Sequence, residues 1–430
     1  MRGPLPQMNR RQCLQALGTL SIPLLLPTPG YGLGRQWRIS GYDVPELRSF
    51  DQAIEQFMQA RNIRLGSLAV ARRGRLLLAH GYSWDESGDA LVEPASLFRI
   101  ASVAKPFTAA VTLRLLREAG VDVSTPVSAL LPDVFPHHRG RDPRLDAVTV
   151  LHLLQHQGGW DRSRSFDPVF HDATIARTFR TGLPVDRGHI AAFMARQRVD
   201  MPPGTTFSYS NFGYLLLGLL IERLSGTSYE DAVRARLLEP LGIGRMRLGR
   251  TAPELRTENE VTYDADHQAA TVLNGSGRKV PAPYGAFNLE NGLASGGWIA
   301  SPVDLLRVSG AFAPTTPVPE AIDTALLDQA LAMPSTGLGP TGEYYGCGWS
   351  VRPLDSERRN MWHTGSLPGT TSTLLRRWDG LDVAVVFNRR EEYAATPADQ
   401  YLNALDQGLG VAMRGVQVWP THNLFDEYEG

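Results

Sequence analysis

Ser102 and Lys105 stand three residues apart in the stretch RIASVAKPFTAA, a spacing that suggests chemistry. Pro106 and the apolar run after it indicate the start of a helix at this point. Residues at i and i+3 share one helix face, so the two side chains can meet. A buried lysine has a lowered pKa and can take the proton of a serine hydroxyl, which turns the serine into a nucleophile.

The structural alternative for this pair is that Ser102 caps the helix and Lys105 is solvated in its first turn. The pattern S-x-x-K is short, so a catalytic interpretation needs support from other residues. The stretch FSYSNFGYLLLGLL supplies a phenol and an amide, Tyr209 and Asn211, on a loop before a long apolar helix. Both can face a cleft, or Asn211 can cap the helix while Tyr209 packs with its hydroxyl in water.

A third group of residues, His363, Gly365 and Ser366, ends a strand-like run in MWHTGSLPG. Glycine lets another backbone approach closely, and an edge strand at this point offers N–H groups to a bound carbonyl. The alternative is a strand that ends in a turn, with His363 a structural residue whose hydrogen bonds are satisfied.

Taken in chain order, Ser102-x-x-Lys105, Tyr209-x-Asn211 and His363-x-Gly365 resemble the motifs of the serine β-lactamase and penicillin-binding-protein superfamily, in particular its class C branch. The resemblance extends to VTVLHLLQHQGGW, GGWIASPVDLLR and YGCGW and covers roughly residues 50 to 410. It implies a serine hydrolase that acts through an acyl-enzyme on a carboxylic ester or a D-amino-acid amide or peptide, without a cofactor or a metal. A β-lactamase, or a non-catalytic binder that keeps the scaffold, remains the alternative.

The resemblance also implies a role for each residue. Ser102 would be acylated, while Lys105 and Tyr209 would share the proton transfers, with Tyr209 as an anionic or hydrogen-bonded base and then as the acid. Asn211 would orient the substrate amide and the lysine. The backbone N–H groups of Ser102 and Ser366 would form the oxyanion hole.

The chain departs from the β-lactamase pattern at His363, where those enzymes carry a lysine that helps to bind a carboxylate. A histidine is largely neutral at pH 7 unless a neighbour raises its pKa, so carboxylate recognition by this strand should weaken. Gln157 and Gly158 also replace the threonine and serine that are common in relatives. The departure at His363 favours an esterase or a D-peptidase over a dedicated β-lactamase, and the departure at Gln157 and Gly158 leaves the role of that loop open.

The elements that must position these residues indicate an α+β fold. Segments 37–105 and 290–430 contain a helix, a hairpin, a meander of strands and a last helix, which predicts one antiparallel β-sheet flanked by helices and assembled from both ends of the chain. Segment 106–289 is rich in helical patterns and predicts an inserted all-helical subdomain. His152 and His156 lie at i and i+4, but without the glutamate of a zinc motif they do not support a metal site.

The amino-acid composition limits the classes of molecule that the chain is expected to bind. The chain has 43 basic and 44 acidic residues among 430, which provides no positive footprint for nucleic acid. The expected partner is a small ester, amide or peptide substrate, and the oligomeric state is left open. Two cysteines, Cys13 and Cys347, make a disulfide framework improbable.

Residues 1–36 are expected to be a leader. The stretch MNRRQCLQALGTLSIPLLLP pairs Arg10 and Arg11 with a short apolar run and resembles a twin-arginine export signal. Export to the periplasm or cell envelope is the expectation, with an N-terminal extension on a cytoplasmic protein as the alternative. The later run FGYLLLGLLI is too short to cross a bilayer and is expected to be a buried helix.

Overall fold

The computed structural model describes residues 35–85, 91–136, 140–313, 322–390 and 398–428. The expected leader lies outside these ranges except for its last two residues, and Cys13 lies outside them as well. From Gln36 onward the described residues form one compact unit. The boundaries of the helical insertion, 106 and 289, stay a prediction.

The described residues form thirteen strands and twelve α-helices. The strands are β1 Gln36–Ser40, β2 Leu65–Arg72, β3 Arg75–Asp85, β4 Phe98–Arg99, β5 Arg247–Leu248, β6 Gln268–Ala270, β7 Lys279–Pro281, β8 Trp298–Ala300, β9 Tyr344–Tyr345, β10 Ser350–Pro353, β11 Arg359–Leu367, β12 Thr370–Arg376 and β13 Leu381–Phe387. The helices are α1 Arg48–Ala60, α2 Lys105–Glu118, α3 Val127–Leu130, α4 Val150–Leu154, α5 Asp172–Phe179, α6 Arg187–Met194, α7 Asn211–Ser225, α8 Tyr229–Val233, α9 Leu293–Gly296, α10 Pro302–Ala311, α11 Thr324–Ala330 and α12 Ala398–Gly415.

Eight strands make one antiparallel sheet in the order β1-β3-β2-β13-β12-β11-β10-β9. The first three strands of the chain pair with the last five through β2 and β13, with Gly66 opposite Phe387 and Arg72 opposite Leu381. This topology confirms the α+β fold with an antiparallel sheet built from both ends of the chain.

The two central strands carry a buried side chain on both faces. Leu68 of β2 and Val383 of β13 pack into one apolar cluster with α1 and α12. Ala69 and Ala384, one position further along each strand, pack into a larger cluster with α2, α7 and α10. Successive residues of a strand point to opposite faces, so each central strand contributes to both cores.

The helix that carries the lysine begins later than the sequence suggests. Residues Ala101–Ala104 form a 3-10 turn, and α2 starts at Lys105 and ends at Glu118. Ala101 has a φ of 47°, a left-handed conformation that interrupts a right-handed helix at this residue. The run FGYLLLGLLI lies inside α7 and is almost wholly buried. Across the described ranges, none of the helices combines the length and the hydropathy needed to span a bilayer.

Candidate active site

Ser102 and Lys105 meet where the 3-10 turn leads into α2. The Lys105 Nζ lies 3.0 Å from Ser102 Oγ, 2.9 Å from Asn211 Oδ1 and 2.6 Å from the Ser295 carbonyl oxygen. Neither the turn nor α2 is capped by a side chain, so Ser102 is not the helix cap of the structural alternative. Its hydroxyl points toward the lysine instead.

The three contacts of the Lys105 nitrogen fit its neutral form. A neutral amine has two N–H donors and one lone pair. The Asn211 Oδ1 and the Ser295 carbonyl can only accept hydrogen bonds, so they take both donors. The lone pair is then left for the Ser102 hydroxyl, which donates to Nζ in the arrangement that proton removal requires.

Burial favours this neutral form. Lys105 is 0% exposed, and desolvation lowers the pKa of its amine well below the usual value. The Arg162 charge acts in the same direction, and the Asp167 carboxylate opposes both. Burial also raises the pKa of Asp167, against the opposing effects of the Asn211 hydrogen bond and the Arg162 charge.

Asn211 joins the lysine to Asp167. Its Nδ2 donates to Asp167 Oδ2 at 2.7 Å while its Oδ1 accepts from Lys105, and these two partners fix the orientation of the amide. The cap of α7 is Ser210, whose Oγ accepts from the Gly213 N–H. Asn211 is therefore directed into the site and does not serve as the helix cap.

Tyr209 lies beside the reacting pair, and two basic side chains approach its ring. The ring centroid is 4.8 Å from Lys105 Nζ and 4.9 Å from the guanidinium carbon of Arg162. Burial raises the pKa of Tyr209 well above its usual value, against the opposing effects of a Ser102 hydrogen bond and the Arg162 charge. At neutral pH Tyr209 is a phenol, which favours the hydrogen-bonded role over the anionic one.

His156 holds the loop that carries Tyr209. Its carbonyl accepts from the Ser208 N–H at 2.8 Å, its Nδ1 accepts from the Ser210 N–H at 3.2 Å, and its ring centroid lies 4.2 Å from that of Tyr209. An accepting Nδ1 requires the neutral imidazole. Burial keeps it neutral because desolvation lowers the pKa of His156 well below its usual value.

His363 is an interior residue with two partners. Its Nδ1 lies 2.7 Å from the Thr364 carbonyl and its Nε2 lies 2.9 Å from the Tyr345 hydroxyl. The carbonyl can only accept, so Nδ1 carries the proton and Nε2 accepts from Tyr345. Burial lowers the pKa of His363 to about 3. The strand therefore presents no positive charge at this position.

Gly365 brings β11 against the turn that carries the nucleophile. A Cβ at this glycine would overlap the Ile100 carbonyl oxygen and the Ser372 Oγ, so the close approach requires glycine. β10 pairs with β11 only as far as Trp362, and the rest of β11 passes beside the Ala101–Ala104 turn. Ser366, one residue further along, is exposed and lines the same cleft as Ser102.

The cleft at Ser102 has a volume of about 290 Å³. Its apolar wall contains Val169, Phe170, Phe287, Leu289 and Leu367, and its polar side chains include Asn211, Asn288, Ser295 and Ser366. Two arginines, Arg162 and Arg390, also line it. The cleft is large enough for a small ester, amide or peptide group beside the serine.

Arg162, Asp167 and Ser295 are site residues that the sequence does not single out. Arg162 and Asp167 lie in the loop DRSRSFDP. The high density of charged residues in this loop is the one sequence feature that could have pointed to them. Ser295 contributes a backbone carbonyl to Lys105, a role that any residue type can fill. In the described part of the chain, no group of three or more His, Cys, Asp or Glu side chains is placed to hold a metal ion.

Comparisons with known proteins identify the family of the chain. Residues 50–407 match the family described as Beta-lactamase. The chain is 26% identical over 336 residues to penicillin-binding protein 4* of Bacillus subtilis, an alignment that covers 76% of this chain and 68% of the relative.

Two solved structures share the fold. The octameric penicillin-binding protein homologue from Pyrococcus abyssi gives a TM-score of 0.62 at 25% identity and covers 90% of this chain and 79% of that one. The D-amino acid amidase from Ochrobactrum anthropi SV3, complexed with D-phenylalanine, gives a TM-score of 0.61 at 22% identity and covers 84% and 99%. At that identity the second likeness shows the fold alone.

Proposed function

The chain belongs to the beta-lactamase family, and from that premise we propose that it is a serine hydrolase that cleaves a carboxylic ester or a D-amino-acid amide or peptide through an acyl-enzyme. The observation that carries the proposal is the 3.0 Å contact between the buried Lys105 amine and the Ser102 hydroxyl. The chain keeps both groups together with Tyr209, whereas a scaffold retained only for binding has no need of them.

In the first step the Ser102 oxygen attacks the carbonyl carbon of the substrate as its proton moves to Lys105 Nζ. The resulting ammonium still donates to Asn211 and to the Ser295 carbonyl, so the transfer requires no rearrangement of these partners. The backbone N–H groups of Ser102 and Ser366 stabilise the oxyanion. Losing one donor of such a hole costs on the order of a hundred- to a thousandfold in kcat.

The leaving group then departs with a proton from the Tyr209 hydroxyl, and Tyr209 regains a proton from the Lys105 ammonium. This exchange leaves a Ser102 ester and a neutral lysine. A water molecule next attacks the ester as Lys105 takes its proton. The proton finally returns to the Ser102 oxygen, which releases the acid product and restores the starting state.

An acylation experiment tests the proposal. The purified protein is incubated with a fluorophosphonate probe, and labelling is compared with that of Ser102→Ala and of Ser276→Ala, an exposed serine outside the cleft. The wild type and Ser276→Ala should be labelled, and Ser102→Ala should not. Labelling that survives in Ser102→Ala, or no labelling of the wild type, would count for the non-catalytic binder.

A substrate panel separates the finer alternatives. Short p-nitrophenyl esters, D-alanyl peptides and a chromogenic cephalosporin represent the esterase, the D-peptidase and the β-lactamase. The neutral, buried His363 favours the first two, because the strand lacks the cation that helps a β-lactamase bind its drug. Turnover of the cephalosporin well above that of the esters and peptides would reverse this order.

We also propose that the chain is exported to the periplasm or cell envelope, on the evidence of Arg10, Arg11 and the apolar run after them. Cell fractionation tests this proposal, with the double variant Arg10→Lys, Arg11→Lys as the comparison. Export should stop in the variant. Recovery of the wild-type protein in the cytoplasm would favour the cytoplasmic alternative.

A further inference from the structure

A second cavity, separate from the catalytic cleft, lies beside the loop that carries Tyr209. It has a volume of about 520 Å³, compared with about 290 Å³ for the cleft, and the two have no lining residue in common. Residues 205–207, residues 334–343 and the strands β9 and β10 enclose it. Concave sites for small molecules usually have volumes of about 300–1,000 Å³, and no step of the proposed function uses this one.

The walls of the second cavity are largely apolar and aromatic. Pro334, Tyr344 and Tyr345 are buried parts of the wall, whereas Phe207 and Leu338 are 48% and 51% exposed. The ring centroids of Phe207 and Tyr345 lie 5.8 Å apart. Because two large apolar side chains of one cavity remain in water, an apolar ligand that covers them gains free energy of binding.

The second cavity offers no uncompensated charge to a ligand. Glu343 is the one charged side chain among the described lining residues. Its carboxylate accepts from Arg352 Nη2 at 2.9 Å and from the Thr341 hydroxyl. An anion would be repelled by this carboxylate, and a cation would have to compete with Arg352 for it. These contacts favour an uncharged ligand.

The shape of the second cavity is fixed by contacts within the protein. The Tyr344 hydroxyl donates to the Leu331 carbonyl at 2.7 Å, and the Tyr345 hydroxyl donates to His363 Nε2 at 2.9 Å. A backbone hydrogen bond of 2.7 Å closes the turn at residues 339–343. The walls are therefore formed before a ligand arrives, and little conformational entropy is lost when it binds.

We propose that the second cavity binds an uncharged aromatic molecule, separately from the substrate at Ser102. Phe207 and the part of Tyr345 that lines the cavity offer aromatic surface to such a ligand, and aromatic pairs attract one another beyond the effect of buried area. This site lies outside the proposed function, which needs only the residues at the catalytic cleft.

A matched pair of dyes tests the site. N-phenyl-1-naphthylamine is uncharged, and 8-anilinonaphthalene-1-sulfonate is the same ring system with a sulfonate. Fluorescence titration of the wild type should give a lower Kd for the uncharged dye. Phe207→Ala and Leu338→Ala should each raise that Kd about three- to tenfold, because each removes apolar surface that the dye covers.

The control is Phe170→Ala, because Phe170 is a phenylalanine of similar exposure, 42%, that lines the catalytic cleft and not the second cavity. It should leave the Kd of the uncharged dye unchanged. Thermal unfolding verifies that each variant is folded, and Leu338→Ala decides the test if Phe207→Ala is not.

No binding of the uncharged dye to the wild type would overturn the proposal, as would a Kd that rises in Phe170→Ala and not in Phe207→Ala or Leu338→Ala. Tighter binding of the sulfonated dye, weakened in Phe207→Ala, would contradict the preference for an uncharged ligand. The titrations need no turnover, so they remain decisive if the proposed function fails.

Steady-state kinetics test whether the site is separate from the substrate. The uncharged dye at saturation should leave KM for p-nitrophenyl butanoate unchanged, because the two cavities share no lining residue. A higher KM in the wild type that is absent in Phe207→Ala would show that the second cavity holds part of the substrate, which would overturn the proposal of a separate site.

Discussion

Lys105 places an amine where water is excluded, and its reactivity follows from that position. The residue is fully buried and satisfies its two N–H donors with Asn211 and the Ser295 carbonyl. The remaining lone pair faces Ser102. At the residue scale, the mechanism therefore depends on burial, which keeps the Lys105 amine in its neutral form.

Replacing Lys105 by alanine should reduce hydrolysis of p-nitrophenyl esters to near background while the fold is retained. The reason is that the Ser102 hydroxyl loses the group that accepts its proton. The measurement is kcat for the ester, with the circular dichroism spectrum as the control for folding. Near-normal turnover in Lys105→Ala would remove the lysine from the mechanism.

The lowered pKa of Lys105 also predicts a pH-dependent stability. In the unfolded chain the amine has its usual pKa of 10.5, whereas in the folded protein it loses its proton at a much lower pH. Between these two values the unfolded state holds one more proton, so the free energy of unfolding rises with pH. The slope from this one group is at most about 1.4 kcal/mol per pH unit.

Urea unfolding of the wild type and of Lys105→Met between about pH 6 and pH 9 measures this term. The methionine variant lacks it, so the difference in unfolding free energy should shift in favour of the wild type as the pH rises. A constant difference across the range would show that the amine is solvated in the folded protein.

The sequence predicts these residues where the contact is local or the motif is distinctive. Ser102 and Lys105 meet because residues at i and i+3 lie on one side of a helical turn, even though the turn is 3-10. The Asp167 contact with Asn211 joins residues 44 positions apart, and no periodicity of the sequence specifies it. Such contacts depend on how the loops pack against one another, and this packing cannot be predicted from a single sequence.

At the scale of elements, His156 ties the loop after α4 to the loop before α7. Its Nδ1 and its carbonyl accept from the residues on both sides of Tyr209. His156→Phe keeps an aromatic ring but leaves the Ser210 N–H without its acceptor, which should cost about 1–3 kcal/mol of stability. We expect kcat to fall about tenfold with little change in KM, because the phenol moves relative to the leaving group.

The matched control is His189→Phe, a half-buried histidine of α6 that does not line the cleft. It should leave kcat unchanged. If His156→Phe loses stability yet keeps its kcat and its pH profile, His156 is a packing residue and does not position Tyr209.

Gly365 is the point at which β11 meets the turn before α2. In Gly365→Ala the new methyl group overlaps the Ile100 carbonyl, so β11 must move away from Ser102. We expect a loss of about 1–3 kcal/mol in unfolding free energy and a lower kcat from a widened oxyanion hole. Gly275→Ala is the control because a Cβ there meets no atom within 4 Å, and equal behaviour of the two variants would contradict this account.

The sequence predicts the helix, hairpin, meander and last helix because each has a clear periodicity. The start of α2 differs from the prediction, because an alanine in the sequence gives no indication that Ala101 adopts a left-handed conformation. The strands β5, β6 and β7, of two or three residues each, lie in the segment predicted to be all-helical. Strands this short leave too few residues for an alternating pattern.

At the scale of the whole molecule, the chain is nearly neutral but carries Arg162 in the wall of the cleft at Ser102, and we expect this arginine to discriminate between substrates by charge. The chain has a formal net charge of -1, so the field near Ser102 comes from local side chains such as Arg162 and not from the molecule as a whole. D-phenylalanyl p-nitroanilide carries a protonated amine at neutral pH, and its N-acetyl derivative does not. We expect a higher kcat/KM for the acetylated substrate, and a smaller preference as salt is added.

Faster hydrolysis of the substrate with the protonated amine would contradict this expectation. It would indicate that Asp167, and not Arg162, governs the charge of the bound substrate. Asp167→Asn distinguishes the two cases, because it should abolish a preference for the amine and leave a preference for the acetylated substrate in place.

The pairing of β2 with β13 has a consequence for the timing of synthesis. When the ribosome has made the serine, its lysine and the first hairpin, the strand that belongs beside that hairpin does not yet exist. The nascent chain therefore cannot complete its sheet or bring β11 against the nucleophile until almost all of it has emerged. We therefore expect a partly synthesised chain to have no hydrolase activity until its last strands have been made.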